Sequence, residues 1–212
     1  FDVDTSGMLP GNRINLTYTD TVTGKQHRVS IIRVDDPSAL PLSNDATADG
    51  GDEVIGVDFS GGLSAVAAAL NAKFNGRVNL SASGTTLRFL DDGAANNSTI
   101  GAASATVTRT GLTGGTELSF FTDGSTIYSG AINAAGSQSV GLAGRISVNS
   151  QLIADPSRLV LSQPGTAAGD PARPNFILGK LIDAPLTFSS QAGIGSASSP
   201  FTGTLSNYLR QV

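Results

Sequence analysis

The chain changes character at residues 141–160, which read GLAGRISVNSQLIADPSRLV. The preceding sequence is rich in Gly, Ser and Thr and typical of strands, whereas this stretch predicts short capped helical turns. Leu142 and Ile146 are four residues apart and would share one face of a short helix. Asn149 is a residue type that can end such a helix. We therefore take this stretch as the point around which the second half of the chain is organised.

The end of the same stretch predicts a new turn. Asp155 can cap free N–H groups and Pro156 fits the first helical position, which leaves Leu159 and Val160 to pack inward. No nucleophile, metal-ligand set or phosphate-binding loop occurs here.

The stretch is therefore expected to be a packing element. We expect Ile146 to be buried against Leu142 and the helix that carries Phe176. Its polar neighbours Arg145 and Arg158 are expected to tolerate substitution by Ala, within about 0.5 kcal/mol, if they are exposed and unpaired.

Three phrases in this half resemble one protein family in the same order. They are residues 145–160, RISVNSQLIADPSRLV, residues 169–176, GDPARPNF, and residues 203–211, GTLSNYLRQ. Together they resemble the C-terminal part of flagellar hook-associated protein 1, the family of bacterial hook–filament junction proteins. The resemblance covers about the last hundred residues, and the first hundred match a variable region of that family only in general style.

The resemblance implies a non-catalytic, secreted subunit of the bacterial flagellum that self-assembles and serves motility. Its implied partners are other copies of itself, the hook protein below and the second junction protein above. An export chaperone would bind through a missing C-terminal part. Because the chain lacks an initiator Met and the family's terminal helices, we expect a fragment that is monomeric in solution.

The composition narrows the possible partners. Hydrophobic residues make up 39% of the 212 residues and charged residues 14%, which suits a folded chain whose solubility comes from Ser, Thr, Asn and Gly. A net charge of −4 with three lysines gives no basic surface, so we expect neither nucleic acid nor a membrane as a partner. The absence of cysteine excludes a disulfide framework and a thiolate metal site.

Periodicity predicts an α+β fold that is mainly β with a few short helices, in two parts and elongated. Residues 1–112 would form a strand-rich outer domain, and residues 113–212 a mixed domain leading toward the absent C-terminal core helix. The elements expected in the first domain are a hairpin across Thr23–Lys25, a strand at 54–57, a helix at 61–74 capped by Ser60, a hairpin at 78–90 and a strand at 105–109.

In the second domain, residues 118–121 are expected to form a short strand before a turn at 122–125, and residues 131–139 a loop. Asp170 with Pro171 would begin a helix that carries Phe176, and Thr204 or Ser206 would begin another. Residues 186–188 predict a brief strand and residues 193–200 a linker.

His27 is the only histidine, so no His pair can bind zinc and no Ser-His-Asp set has a local anchor. We interpret it as an exposed loop residue. The glycine-rich segment Gly193–Ser198 ends in Ser where a dinucleotide-binding fingerprint needs its last glycine, which favours a linker. We expect no cofactor and no enzymatic activity.

Two acidic loops look slightly like calcium loops: Asp2-x-Asp4-x-Ser6-Gly7 and Asp45-x-Thr47-x-Asp49-Gly50. A calcium loop needs a bidentate Glu at its twelfth position, which here is Arg13 or Gly56. Their aspartates are therefore expected to serve as turn and cap residues, and no metal is expected.

Carboxylates of adjacent residues on a strand point to opposite faces of the sheet. They therefore cannot lie on either side of one substrate bond and act as an acid/base pair. We interpret such pairs as solvated turns; they are Asp35/Asp36, Asp52/Glu53 and Asp91/Asp92. Glycosylation sequons begin at Asn15, Asn79, Asn96 and Asn97 and match chance expectation in an Asn-rich and Ser-rich chain.

Two other classes stay open beside the flagellar interpretation. A binding or adhesive module of a bacterial surface or phage particle would have a similar polar, strand-rich composition, although the chain has no Trp and few Tyr to build a sugar-binding platform. An enzyme ranks third and would need a pocket around His27 with paired carboxylates.

Overall fold

A computed structural model describes residues 1–44, 53–113, 117–160, 165–167, 169–188, 194–196 and 199–211. The chain forms two compact units, Phe1–Arg109 with Tyr128–Arg145 and Thr110–Ile127 with Ile146–Val212. The boundary predicted after residue 112 lies close to Arg109, where the chain first passes from the first unit to the second. Residues 128–145 return to the first unit, which a single boundary does not describe.

The first unit is built on a four-stranded sheet in the order β4-β3-β2-β7. Its strands are β2 (Arg13–Asp20), β3 (Gln26–Val34), β4 (Glu53–Asp58) and β7 (Ser98–Thr106). Strands β2 and β3 form the predicted hairpin, in which Leu16 lies opposite Val29. β4 is parallel to β3 and is the end strand of the sheet, so one of its edges faces away from every strand of this sheet.

A second sheet and one helix cover a face of the first sheet. The three-stranded sheet has the order β1-β6-β5, with β1 at Asp2–Asp4, β5 at Asn79–Ser83 and β6 at Thr86–Leu90. Alternation along β2 buries its apolar residues, which pack with the buried face of helix α1 (Leu63–Phe74) in one core. The members of this core that are least exposed include Ile14, Leu16, Ile31, Val66, Leu70, Leu87 and Phe89.

Helix α1 follows the prediction except at its start. Its N-cap residue is Gly62, with φ of 81° and no side-chain cap. The predicted cap, Ser60, instead donates its hydroxyl to Asp58 at 2.8 Å. Asn75 ends the helix in the left-handed conformation, which Asn adopts more readily than most residues.

Two more predictions for the first unit need correction. The last strand, β7, begins at Ser98 and ends at Thr106, because it pairs along β2 from Asp20 to Arg13. The expected loop at residues 131–139 contains a tight hairpin of β9 (Ile132–Asn133) and β10 (Gly136–Ser137).

The second unit consists of short elements. They are β8 (Phe121–Asp123), β11 (Ile146–Val148), α2 (Ser150–Ala154), α3 (Ala172–Ile182), β12 (Leu186–Thr187), β13 (Gly195–Ser196), β14 (Ser199–Pro200), β15 (Thr202–Gly203) and α4 (Leu205–Leu209). The strands pair as β8 with β11, β12 with β15 and β13 with β14. The mainly β, α+β prediction is therefore confirmed. Among the described residues, no helix has the length and apolarity needed to span a bilayer.

Candidate functional site

His27 lies in a strand and packs on an aromatic ring. It pairs with Tyr18 across the β2–β3 hairpin, and the two rings stack with 4.8 Å between their centroids. The expectation of an exposed loop residue is therefore wrong, because His27 is a half-buried strand residue. Within the described ranges, no three His, Asp or Glu side chains come together in a way that could hold a metal ion.

The first acidic loop uses its carboxylates in local contacts. Asp2 forms a bidentate ion pair with Arg88, which donates two hydrogen bonds at 2.7 and 2.9 Å. These hydrogen bonds lower the pKa of Asp2. Asp4 accepts hydrogen bonds from the backbone and hydroxyl of Ser6, which lower its pKa. Both aspartates are thus turn and pairing residues. The second loop, residues 45–50, lies outside the described residues.

Four of the paired acidic residues are also explained by local structure. Asp35 forms a bidentate ion pair with Arg33, which donates two hydrogen bonds of 2.8 Å. Asp36 caps the short helix Pro37–Ala39 and also accepts the N–H of Ala134 at 2.8 Å. Asp91 accepts the N–H of Gly93 at 3.1 Å, and Asp92 accepts that of Asn97 at 2.7 Å. Glu53 begins β4, and Asp52 lies outside the described part of the chain.

The remaining sequence candidates show no reactive arrangement either. Asn15 and Asn79 lie in strands, and their amides donate to Thr106 and to the Asp91 carbonyl. Asn96 ends the short helix Gly93–Ala95 with φ of 49°. Half of the segment Gly193–Ser198 is outside the described residues, and its described part contributes to the β13–β14 pair.

The stretch at 141–160 folds differently from its prediction. Leu142–Gly144 forms a single short helical turn, and Ile146 then belongs to β11, where it pairs with Asp123 of β8. Ile146 is 48% exposed, so the expected burial is wrong. The alternation of Ile146 and Val148 around Ser147 is a strand pattern that outweighs the four-residue spacing.

Asn149 is the polar centre of the second unit. It is 2% exposed, and its side-chain oxygen accepts the Gln151 N–H at 3.0 Å. Its amide nitrogen donates to the Leu112 carbonyl at 3.2 Å and to the Ser119 hydroxyl at 3.3 Å. Asn149 thus begins helix α2 and does not end one, which corrects the prediction. Asn is also a preferred N-cap residue, and that alternative signal is present in the sequence.

Asp155 and the apolar residues around it behave as predicted in part. Asp155 accepts the Ser157 N–H at 3.1 Å and caps the short helix Pro156–Leu159. Hydrogen bonds from Ser157 lower the pKa of Asp155. Leu159 and Val160 are only partly buried, whereas Leu152 is 4% exposed and is the apolar anchor of this stretch.

The arginines of this half bind backbone carbonyls and carboxylates. Arg145 donates to the carbonyls of Val140 and Gln138, at 2.9 and 2.8 Å. Arg158 pairs with Asp155 at 3.4 Å. Both arginines are therefore paired, so the condition under which Arg145 and Arg158 were expected to tolerate Ala is not met.

Arg173, at the start of α3, joins separate segments of the second unit. It donates to the Leu118 carbonyl at 2.6 Å and to the Arg158 carbonyl at 3.3 Å. A guanidinium has several fixed donors, so it can satisfy carbonyls from two segments at once. Asn149 and Arg173 therefore supply hydrogen bonds that join separate segments of the second unit.

The second unit exposes much apolar surface. Helix α3 carries Phe176, Leu178 and Ile182, which are 64%, 53% and 51% exposed. The Phe176 ring lies 5.4 Å from the Lys180 ammonium and is not buried as the packing hypothesis required.

The described residues thus place a buried amide and an arginine at the centre of the second unit, and they bring together no set of reactive groups. In comparisons with models of protein families, with curated proteins and with solved structures, this chain matches none of them.

Proposed function

We propose that this chain is a structural subunit of the bacterial flagellum at the junction between hook and filament. The observation that carries the proposal is the ordered set of three phrases at 145–160, 169–176 and 203–211. Their resemblance to hook-associated protein 1 implies a non-catalytic subunit that contacts its own copies, the hook protein and the second junction protein outside the cell.

The local roles of the three phrases support this proposal. The first phrase contains Asn149 and the second Arg173, which donates to the Arg158 carbonyl of the first. The third contains Thr204 at the N-cap of α4, whose side chain accepts the Asn207 N–H at 3.2 Å. Helices α3 and α4 contact each other. The phrases therefore specify one scaffold, as expected of a shared structural framework.

The exposed apolar side chains of α3 also support an assembly role. Leu178 and Ile182 are four residues apart and share one face of α3, so both would lose water when a neighbouring subunit covers that face, and burial of apolar area drives most protein association. A reactive constellation, which an enzyme would require, has not been found among the described residues.

The test is microscopy in the bacterium that carries the gene. We expect an epitope-tagged chain to be labelled by immunogold at the hook–filament junction, and deletion of the gene to leave hooks without filaments. Label on the cell envelope, with normal filaments in the deletion strain, would contradict the proposal and favour an adhesive module.

A pair of variants connects the test to the scaffold. Asn149→Ala should fail to restore filaments to the deletion strain, because it removes the buried centre of the second unit. Lys25→Ala, in the exposed turn of the β2–β3 hairpin, should restore them. Equal restoration by both variants would show that the scaffold is not needed for assembly.

A further inference from the structure

A groove runs along the outer edge of β4 in the first unit. Its volume is about 480 Å³, and residues 55–58 of β4 line it. Leu40 and Pro41 line it on one side, and one face of helix α1 lines it on the other. Because β4 is the end strand of its sheet, this groove lies where a further strand could be added.

The backbone of β4 identifies the groups that face this edge. The Val54 N–H donates to the Asn44 side chain at 3.0 Å and so points away from β3. The Phe59 N–H donates to the Val34 carbonyl of β3 at 3.0 Å and so points toward it. The N–H and C=O groups of successive residues point to opposite edges of a strand. The main-chain groups of Gly56, like those of Val54, therefore point away from β3. Among the described residues, no hydrogen bond is seen to the outward N–H or C=O of Gly56.

The residues around Gly56 form the walls of the groove. A Cβ atom at Gly56 would lie 2.5 Å from Leu40 Cδ2 and 2.6 Å from Leu42 Cγ, so only glycine fits between β4 and these leucines. On the helix side, the lining residues Gly61, Ala65 and Ala69 follow each other at intervals of four. Ala65 and Ala69 share one face of α1, Gly61 precedes the helix, and all three are small, which leaves space beside the strand.

A lysine lies at the end of the α1 residues that line the groove. Lys73 lines the groove four residues after Ala69 and is exposed. In the described part of the chain its ammonium has no acidic partner within salt-bridge distance. From Ala65 to Lys73, the first and last lining residues of α1, the helix spans about 12 Å, which matches about four residues of an extended chain.

We propose that this groove binds an extended peptide segment of another protein as an added strand beside β4. Gly56 supplies the main-chain donor and acceptor, as in other cases of strand addition to an exposed edge. Successive apolar side chains of the peptide point in turn to Leu40 with Pro41 and to the small face of α1. A carboxylate of the peptide pairs with Lys73. The outward main-chain groups favour a peptide over a small apolar ligand, which could not use them.

Selection from a phage-displayed library of random 12-residue peptides tests the proposal with the whole chain as bait. Wild type should enrich peptides with consecutive apolar residues and an acidic residue. Ala69→Trp fills the groove and should abolish this enrichment. Ala68→Trp, at an exposed position of α1 outside the groove lining, is the matched control and should retain it.

Each alternative result overturns the proposal. It is wrong if wild type enriches no peptide, or if Ala69→Trp enriches the same peptides as wild type. Dimerisation of the wild type that Ala69→Trp abolishes, without peptide enrichment, would assign the groove to a second copy of this chain.

NMR with one enriched synthetic peptide distinguishes strand addition from other binding. Saturating peptide should slow hydrogen exchange of the Gly56 amide at least tenfold, while the amide of Ile31 in the centre of the sheet should not change. Lys73→Ala should weaken binding about fivefold, as expected for a partly exposed ion pair. Unchanged Gly56 exchange at saturation would exclude pairing with β4.

Discussion

Asn149→Ala is expected to destabilise the second unit by about 2–4 kcal/mol. Loss of an N-cap side chain costs about 1 kcal/mol. Each of the two hydrogen bonds that its amide donates, to the Leu112 carbonyl and the Ser119 hydroxyl, contributes about 0.5–1.5 kcal/mol. Because Asn149 is 2% exposed, water cannot readily replace these partners, which places the expected cost above that of a surface cap.

Amide hydrogen exchange measured by NMR gives this cost for each unit separately. The Ile153 N–H donates to the main-chain carbonyl of residue 149 at 3.2 Å, so the substitution does not remove its acceptor. At 1.4 kcal/mol per factor of ten, its exchange should accelerate about 30- to 1000-fold. The amide of Ile31 in the first unit serves as the internal control.

A neighbouring substitution provides the matched variant. Ser150→Ala changes an exposed residue at the first position of α2 and should alter stability by at most about 0.5 kcal/mol. If Asn149→Ala exchanges at Ile153 within about threefold of wild type, the buried amide does not hold the second unit together, and the reasoning is refuted.

Three further predictions follow from burial, charge and backbone geometry. By chemical denaturation, Leu152→Ala should cost about 2–5 kcal/mol, because Leu152 is 4% exposed, and Ile146→Ala clearly less; the reverse order would contradict the packing described. Hydrogen bonds from the Thr23 backbone lower the pKa of Asp20 from its usual 3.8, so its stabilisation is present above that value and is lost as the pH falls through the folded-state pKa. Asp20→Asn should therefore lower the denaturation midpoint at about pH 7 and differ less from wild type at about pH 2–3, whereas a constant difference would exclude this linkage. Gly11→Ala should destabilise the first unit more than Gly24→Ala in thermal melts, because both have positive φ but only the Cβ at Gly11 would come within 2.2 Å of the Gly130 carbonyl carbon; equal melting temperatures would contradict it.

Much of the first unit is predictable from its sequence. Alternation at Ile14, Leu16 and Tyr18 predicts β2, and three- and four-residue spacing of Val66, Leu70 and other apolar residues predicts α1. Both patterns predict the correct element because a long strand or helix buries one face. The apolar residues therefore repeat along the sequence with the period of that element. The ends are less predictable, since Ser60 bonds to Asp58 and leaves Gly62 at the helix start.

The second unit is less predictable because its elements are short. The spacing of Leu142 and Ile146 fits a helix, and that of Ile146 and Val148 fits a strand; pairing with β8 decides for the strand. The capping role of Asp155 is local and was correctly predicted, whereas the roles of Asn149 and Arg173 depend on carbonyls distant in sequence, at Leu112 and Leu118.

The sequence by itself determined the mainly β class, the first hairpin, helix α1 and the lack of thiol chemistry, because these depend on composition and local periodicity. Only the tertiary structure decided that β4 pairs in parallel with β3 and ends the sheet, that residues 128–145 return to the first unit, and that the Gly56 backbone faces a groove. These features arise from pairing between distant segments, and a strand's own residues do not specify which of its edges will be covered.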